Sequence, residues 1–480
     1  MPKQQVLDLH PAGWESDPAD EYFRVSTLDY CVPQVYMACA LLFRLPDDRK
    51  ADVVAVLKRG LEITLRQCRP LCGYLEKHPD GGGSLCFHKT KESTVEFHVQ
   101  WLDGPEDDSP SFEELESRYF TTQALGDVNR WCVAPMTYGE KPEAEPRNRP
   151  KAAAFKATFI KGGLVFVTHH HHYANDVMGF SGELHQLADN CSAVWNSRDL
   201  PPWNPACLDL SRATKEDLPK DQLIDGPSTP LKHPDHKPSQ FVIFHLPKSK
   251  AAKLRALATP ADGSYWVSTY DACTAYIWRV LTKHRARLHE SDLSQALIWS
   301  EAVDMRRRFH DPPLPARLQG NFLCGLFGTE IPGLPAITAA QVISEEPLTK
   351  LAWYIRQVTN HATQETMEAM LTAIAPIRDK TALALRTDSL PPLSNFTTDW
   401  RGSNPYEADF GFGKPQAMRS PAEIVSTGMT IVYPPRIHNP PAGNDEGSEL
   451  NICLETAILE DLLADPEWTE FFDYRGVDIG

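Results

Sequence analysis

His169-His170-His171-His172-Tyr173-Ala174-Asn175-Asp176 is the stretch on which the reading of this 480-residue chain turns. The apolar segment before it, residues 164–168, reads as a strand. After it, Phe180, Leu184, Leu187, Cys191 and Val194 recur at alternating spacings of four and three, the pattern of an amphipathic helix. Four histidines at a strand–helix junction admit three readings. Packing or surface roles suffice for two of them but not for all four. A metal site is disfavoured, because consecutive residues of an extended segment point to opposite faces and converge poorly on one ion. No HExxH or paired Cys/His spacing accompanies the run, so no metal is expected. The third reading is general-base catalysis: an imidazole that titrates near neutrality takes the proton of an alcohol or amine attacking a thioester. Asp176, four residues after His172, stands where a carboxylate caps the following helix. If buried it needs a cation or donors, so it is expected to hold the turn rather than relay protons.

HxxxD alone is a frequent chance pattern, and a second motif carries more weight. Asp409-Phe410-Gly411-Phe412-Gly413-Lys414-Pro415 closes a polar loop. Its glycines permit a tight backbone path, and Phe410 and Phe412 can pin the loop to a core. No catalytic atom is expected in it.

In this order and at this separation, the two motifs resemble the BAHD acyltransferases, which carry HxxxD near the end of a first domain and DFGWG near the C-terminus. Phe412 stands where the family has Trp. Val177, not Gly, follows Asp176, with Gly179 two places later. That arrangement, with Phe159-Ile160-Lys161-Gly162-Gly163-Leu164, resembles the fungal branch that includes the trichothecene 3-O-acetyltransferases. Weaker matches extend along the chain: Ser26-Thr27-Leu28-Asp29, Pro70-Leu71-Cys72-Gly73-Tyr74-Leu75, Ser268-Thr269-Tyr270-Asp271-Ala272, Val303-Asp304-Met305-Arg306, Gly320-Asn321 and Pro434-Pro435-Arg436.

The resemblance implies an α/β (α+β) fold of two chloramphenicol-acetyltransferase-like domains, each a mixed sheet with flanking helices, with a channel between them. It implies His172 as the general base in mid-channel. Acyl-CoA, expected to be acetyl-CoA, enters as co-substrate from one face and a small hydroxylated acceptor from the other. No bound cofactor, metal or acyl-enzyme is implied. Asp176 is expected to point away from the channel and pair with Arg306, and Asp409 to be structural near the channel wall. Ser268, Asn321, Thr398 and Trp400 are candidates for contacts to acyl-CoA, Asn321 and the Thr398-Asp399-Trp400 segment for the oxyanion. Asp399 departs from the family there, which has Ser or Thr. CoA phosphates on a chain of net charge −16 require a local cluster of cations. The pool is Lys414, Arg419, Arg306, Arg307 and Arg308, the last two equally readable as surface charges. One alternative is a condensation-type domain, which fits the doubled His171-His172 but lacks DFGWG. Another is a ligand-binding member of the fold without activity, against which an intact His172 and Asp176 argue.

Bulk properties agree with a globular enzyme. With 42% hydrophobic and 23% charged residues, the chain is neither disordered nor fibrous. Its acidic balance and pI of about 5.5 give no basic face for nucleic acid and oppose an anionic membrane surface. No apolar run is long enough to span a bilayer, and residues 1–20 have no apolar signal core, so a cytoplasmic monomer is expected. The 11 cysteines are scattered without CxxC and are expected to be mostly buried thiols. Asn190-Cys191-Ser192 and Asn395-Phe396-Thr397 match the glycosylation pattern by chance on this reading.

A strand is expected at 36–43, and a helix through Val54, Leu57, Leu61 and Leu65 with Asp47 or Asp48 as cap, ended by Pro70. Further expectations are a turn at 78–84, a surface loop at 141–150 and a hairpin of 152–160 with 164–168 around Lys161-Gly162-Gly163. The domain organisation expected is 1–200, a proline-rich crossover linker at 201–239, and 240–480. The second part starts with a strand at 241–246 and helices at 248–257 and 269–281. A helix at 362–374, a hairpin of 428–433 with 450–454, and a helix at 455–464 complete it.

Overall fold

Tyr36–Arg44, apolar almost throughout, is a central strand of a six-stranded mixed sheet in a computed structural model that describes residues 3–80, 83–436 and 445–479. Gly81 and Gly82 of the turn at 78–84, and 437–444 of the connection 434–448, lie outside the described residues. The first sheet is built from β1 (Gln4–Leu9), β2 (Tyr36–Arg44), β3 (Val95–Leu102), β4 (Ala153–Ile160) and β5 (Gly163–His171). They lie in the order β1-β3-β4-β5-β2, and the short strand Ala417–Arg419 closes the edge beside β2. Only β3 and β4 run parallel; the other pairs are antiparallel. β4 and β5 form the hairpin, turning on Lys161-Gly162 alone, because Gly163 already pairs with Ile160. β5 continues to His171, so three of the four histidines are strand residues rather than followers of the strand.

One face of this sheet is covered by α1 (Lys50–Gln67) and α2 (Val177–Trp195). The stripe Phe180, Leu184, Leu187 and Cys191 is buried against Leu57, Leu61, Phe43 and Phe166. α1 is not capped by Asp47 or Asp48: its N-cap is Arg49, with no side-chain cap bond. Asp47 instead accepts the Gly162 N–H at 3.1 Å and pairs with Lys50 at 2.6 Å, tying the helix start to the β4–β5 turn. Asn190 is fully buried and donates to Thr64 and Gln67, which removes it as a glycan acceptor.

The second sheet has seven strands: β6 (Ser239–Leu246), β7 (Trp299–Asp304), β8 (Leu323–Phe327), β9 (Asn395–Asp399), β10 (Met429–Val432), β11 (Ser448–Glu455) and β12 (Asp473–Ile479), in the order β8-β7-β9-β10-β11-β6-β12. β9 runs parallel to both β7 and β10. Over it lie α3 (Lys248–Ala258), α4 (Thr269–Leu288) and α5 (Leu348–Asn360), the last not anticipated in the sequence. The helix expected at 362–374 starts later, as α6 (Gln364–Ile374) capped by Thr363, because residues 361–363 form the break after α5. The helix expected at 455–464 is a single-turn 3-10 segment followed by Leu459–Ala464.

The segment 201–239 is not a free tether. It lies down in short 3-10 turns, and Ala213, fully buried, accepts the Leu28 N–H and packs in the second core. Conversely Trp400, Tyr406, Phe410 and Met418 belong to the first core. The two sheets are thus joined by chain running both ways. All 11 cysteines are free and only Cys31 is not fully buried.

Candidate active site

The histidine run leaves the end of β5 and reaches the N-terminus of α2 in one short turn. Alternation along the strand sends His169 and His171 to one side. His169 accepts the Val133 N–H at Nε2 (3.1 Å) and donates from Nδ1 to the Met136 carbonyl (2.8 Å). His171 accepts the Tyr173 N–H at Nδ1 (3.1 Å) and donates from Nε2 to the Ala144 carbonyl (3.0 Å). Each ring is fixed as a single neutral tautomer. Burial pushes their pKa values down, to about 3 for His169 and about 4 for His171. His170 faces the other way, stacked on Phe180 at 5.7 Å. Among the described residues no group of three or more His, Cys, Asp or Glu could hold a metal ion.

His172 is the first residue past the strand. Its N–H donates to the Val35 carbonyl (2.9 Å) and its carbonyl accepts from Asn321 Nδ2 (2.8 Å). Its Nδ1 is buried, no side chain among the described residues bonds its ring, and only the backbone of its own turn, at His172 and Asn175, faces it. Burial lowers its pKa below the ordinary imidazole value, with backbone hydrogen bonds in its own turn and the Asp176 charge opposing the shift, so burial favours the neutral ring.

Asp176 does two jobs. As N-cap of α2 its Oδ1 accepts the Gly179 N–H at 2.7 Å. Its carboxylate also pairs with Arg306 at 3.0 Å and accepts the Phe322 N–H at 2.8 Å. Arg306 is itself saturated by the carbonyls of Leu318 and Gly320 (both 2.8 Å) and by Asp304 (2.9 Å). Burial works against the guanidinium, but Asp176 and Asp304 outweigh it and hold its pKa up.

The neighbouring turn belongs to the second half of the chain. Gly320, at φ +83°, takes a backbone conformation suited to glycine, and its N–H donates to Asn175 Oδ1 (2.8 Å). Asn321 donates both of its amide hydrogens, to Asp29 Oδ1 (2.9 Å) and to the His172 carbonyl. Asp29, from the Ser26-Thr27-Leu28-Asp29 segment, also accepts the Ser26 and Asn321 N–H groups, and burial pushes its pKa up to about 6. His172 therefore stands at the seam of the two sheets, its backbone held by the Val35 carbonyl on one side and the Asn321 side chain on the other.

Several residues expected at the site are elsewhere or already engaged. Asn321 has no hydrogen left for an oxyanion. Ser268 closes a capping box on α4, its hydroxyl donating to Asp271 (2.8 Å) and accepting the Asp271 N–H, so it offers no donor to a ligand. Arg419 is fully buried and paired with Glu449 at 2.9 Å, and Arg306 is consumed as described. Arg308 donates to the Thr359 and Ala362 carbonyls past the end of α5; Arg307 is exposed. Asp409 is exposed and accepts the Gly411 N–H in a local turn. That loop packs on the far end of α2. A Cβ at Gly411 (φ +85°) would fall 2.7 Å from Trp195 Cβ, and Phe412 meets Trp195 at 5.9 Å. At 1.5 Å per residue along α2 this is about 25 Å from Asp176. Asp409 is thus structural but not at the site, and Lys414, bonded to Glu407 (3.0 Å) in the same loop, goes with it. Trp400 lies in the first core, and its indole N–H donates to Thr398 Oγ1 (3.1 Å), leaving the Thr398 hydroxyl hydrogen free to donate.

The sequence reading missed a cavity of about 760 Å³ between α3, α4 and the β10–β11 hairpin. Lys248, Arg255 and Arg401 line it with Thr269 and Tyr270, and among the described residues no carboxylate does, although Arg401 is paired with Asp399 at 2.6 Å. With Arg401 balanced by Asp399, Lys248 and Arg255 give the lining a net positive charge in a chain of net charge −16, an electrostatic focus for an anion. Arg401 connects it to the histidine turn. The next residue, Gly402, sits against Met178 of α2, and the Ser403 carbonyl accepts from Ser181 (2.7 Å). Lys248 and Arg255 share one face of α3, two turns apart, but Arg401 is distant in sequence and only tertiary packing brings it to them.

Glu183 was also missed. It is buried on α2, accepts from Asn175 Nδ2 (2.9 Å), and burial pushes its pKa up to about 8. A carboxyl raised in the folded state adds stability that is complete below its unfolded pKa and is lost as pH climbs through the folded one. Against Glu183→Gln, the wild type should keep a constant stability difference below about pH 4.5 and lose a few kcal/mol by about pH 8. Denaturant titrations across this range check it; parallel curves would show that Glu183 does not titrate there.

The comparisons with known proteins agree with this architecture. Residues 127–469 match the model of the Transferase family, and residues 35–191 that of the trichothecene 3-O-acetyltransferase-like N-terminal domain. Acetyltransferase FGR3 of Gibberella zeae is 52% identical over all of this chain and 95% of its own. Trichothecene 3-O-acetyltransferase TRI101 of Fusarium sporotrichioides is 27% identical over 92% of this chain and 94% of its own. Among solved structures, F. graminearum TRI101 complexed with coenzyme A and T-2 mycotoxin superposes with a TM-score of 0.76 at 20% identity, covering 95% of this chain and all of that one. Vinorine synthase gives 0.67 at 18%, covering 98% of each.

Proposed function

Because the chain belongs to the Transferase family and is an acyltransferase, we propose that it moves the acetyl group of acetyl-CoA to a hydroxyl of a fungal secondary metabolite, a terpenoid or polyketide, with His172 as general base. The observation that supports this most is the contrast within the histidine run. His169 and His171 are locked by backbone bonds on both nitrogens, whereas the His172 ring is faced only by the backbone of its own turn, at His172 and Asn175. His172 takes the acceptor hydroxyl proton as that oxygen attacks the thioester carbonyl. The tetrahedral intermediate expels the CoA thiolate, which recovers a proton from the imidazolium, and no acyl-enzyme forms. The Thr398 hydroxyl, oriented by the Trp400 indole, is the donor proposed for the oxyanion, in place of Asn321.

The cation-lined cavity is proposed as the seat of the CoA phosphates, in place of Lys414, Arg419, Arg306, Arg307 and Arg308. Lys248 and Arg255 are exposed at its wall, as a phosphate ligand requires. Lys248→Ala and Arg255→Ala should each raise the KM for acetyl-CoA about tenfold, one lost charge-assisted contact, with kcat little changed. A steady-state titration at low salt reads this, and an unchanged KM in both would place the phosphates elsewhere. The division 1–200, 201–239 and 240–480 is kept as a proposal, with the stretch around 400–419 lent back to the first unit on the strength of its packing. A monomer in the cytoplasm is likewise proposed; among the described residues no helix is long and apolar enough to cross a membrane.

The reading is tested by mixing the protein with acetyl-CoA and a panel of hydroxylated terpenoids and polyketides, deoxynivalenol among them. Free thiol and the mass of any acetylated product are followed. Thiol release that depends on acceptor supports the reading. An absence of both thiol and product across the panel favours a ligand-binding member of the fold.

A further inference from the structure

No side chain among the described residues bonds the His172 ring; only the backbone of its own turn, at His172 and Asn175, faces it. The placement of that imidazole must therefore come from its backbone, and the backbone is held from the second half of the chain by Asn321 Nδ2 on the His172 carbonyl. Asn321 is fixed by the Gly320 turn, and Gly320 is fixed in turn by Asn175, whose Oδ1 accepts the Gly320 N–H. An amide side chain can present either end. Here the second end decides: Asn175 Nδ2 donates at 2.9 Å to Glu183, a carboxyl side chain only 4% exposed on the second turn of α2. Among the described residues no cation is bonded to Glu183, and an ionisable group buried without one is costly to keep for packing alone. The fit around this contact is tight. A Cβ at Gly179 would lie 2.4 Å from the Gly320 carbonyl and 2.5 Å from Asn175 Oδ1, so the amide has no room to relax if its partner is lost.

We propose that Glu183 is a positioning residue for His172, acting through the Asn175 amide and the Gly320-Asn321 turn. The inference rests on His172 being the base. Removing the acceptor at Glu183 leaves Asn175 Nδ2 unpaired in a buried site and frees the amide to turn, loosening the Gly320 N–H and with it the support of the His172 carbonyl.

The test compares Glu183→Gln, Glu183→Met, Asn175→Ala and the double variant Asn175→Ala/Glu183→Met in acetyl-CoA thiol release, with and without deoxynivalenol as acceptor. Gln keeps an oxygen that accepts from Asn175 and should retain kcat to within about twofold. Met and Ala should each lower kcat about 10- to 100-fold, the size of a small misplacement of a reacting group, with the KM for acetyl-CoA unmoved. The double variant should be no worse than the poorer single, because both cut one chain of contacts. A folded Glu183→Met with wild-type kcat overturns the proposal, as do losses that multiply in the double variant or a Gln variant as slow as Met. If Glu183→Met fails to fold, Asn175→Ala decides alone, and wild-type kcat there is equally fatal. A full-rate His172→Ala would instead sink the base assignment itself, so the two failures are told apart.

Discussion

His172→Ala should lower the kcat for acetyl transfer by about 10²- to 10⁴-fold, the usual contribution of a positioned general base. The fold should survive. The contacts that His172 makes to the rest of the chain run through its backbone, to the Val35 carbonyl and from Asn321 Nδ2, and alanine keeps both. The cation-lined cavity lies on other elements, so the KM for acetyl-CoA should hold. The pH profile adds a second readout. Burial depresses the His172 pKa below 6.5, so the acidic limb of kcat/KM should lie under that value in the wild type and vanish in the variant. Full activity in His172→Ala, or an unchanged acidic limb, would remove His172 from the chemistry.

Asp176→Asn should unfold the junction of the two sheets rather than merely slow the reaction. Its carboxylate serves the Gly179 N–H, the Phe322 N–H and two nitrogens of Arg306 at once. Asparagine offers one acceptor oxygen where four donors converge, and turns an NH₂ toward the rest. It also leaves the buried Arg306 with a weakened counter-charge, supplied by Asp304 alone. Breaking a buried pair from one side costs about 3–5 kcal/mol. Chemical denaturation should show the loss, and Arg306→Met in the same background should recover part of it by removing the uncompensated charge. An Asp176→Asn variant as stable as the wild type would mean that the helix cap alone holds this turn.

The sequence reading located the histidine turn, the α2 stripe and the β4–β5 hairpin because each is local. Periodicity, a glycine turn and a capping carboxylate act over a few residues and leave their mark in spacing. It went astray where roles depended on distance. Asp409 and Lys414 fall within a motif that points to the family, yet α2 separates that loop from His172 by its full length, since Phe410 and Phe412 serve the first core at the helix's far end. Arg419 looked like a free cation because nothing nearby in sequence shows Glu449 arriving from β11. Lys248, Arg255 and Arg401 carry no motif at all and share a cavity only because α3, α4 and the loop after β9 meet there.

By itself, the sequence determined that this chain carries one histidine turn capped by Asp176, in an acidic two-sheet protein of a recognisable acyltransferase pattern. Tertiary structure alone decided which of the four imidazoles are locked by backbone groups on both nitrogens, which cations face a cavity, and that Asn175, Glu183 and the Gly320-Asn321 turn stand behind His172. The physical reason is that tautomer, burial and charge pairing are set by atoms arriving from other elements of the fold, as Arg306 reaches Asp176 across 130 positions.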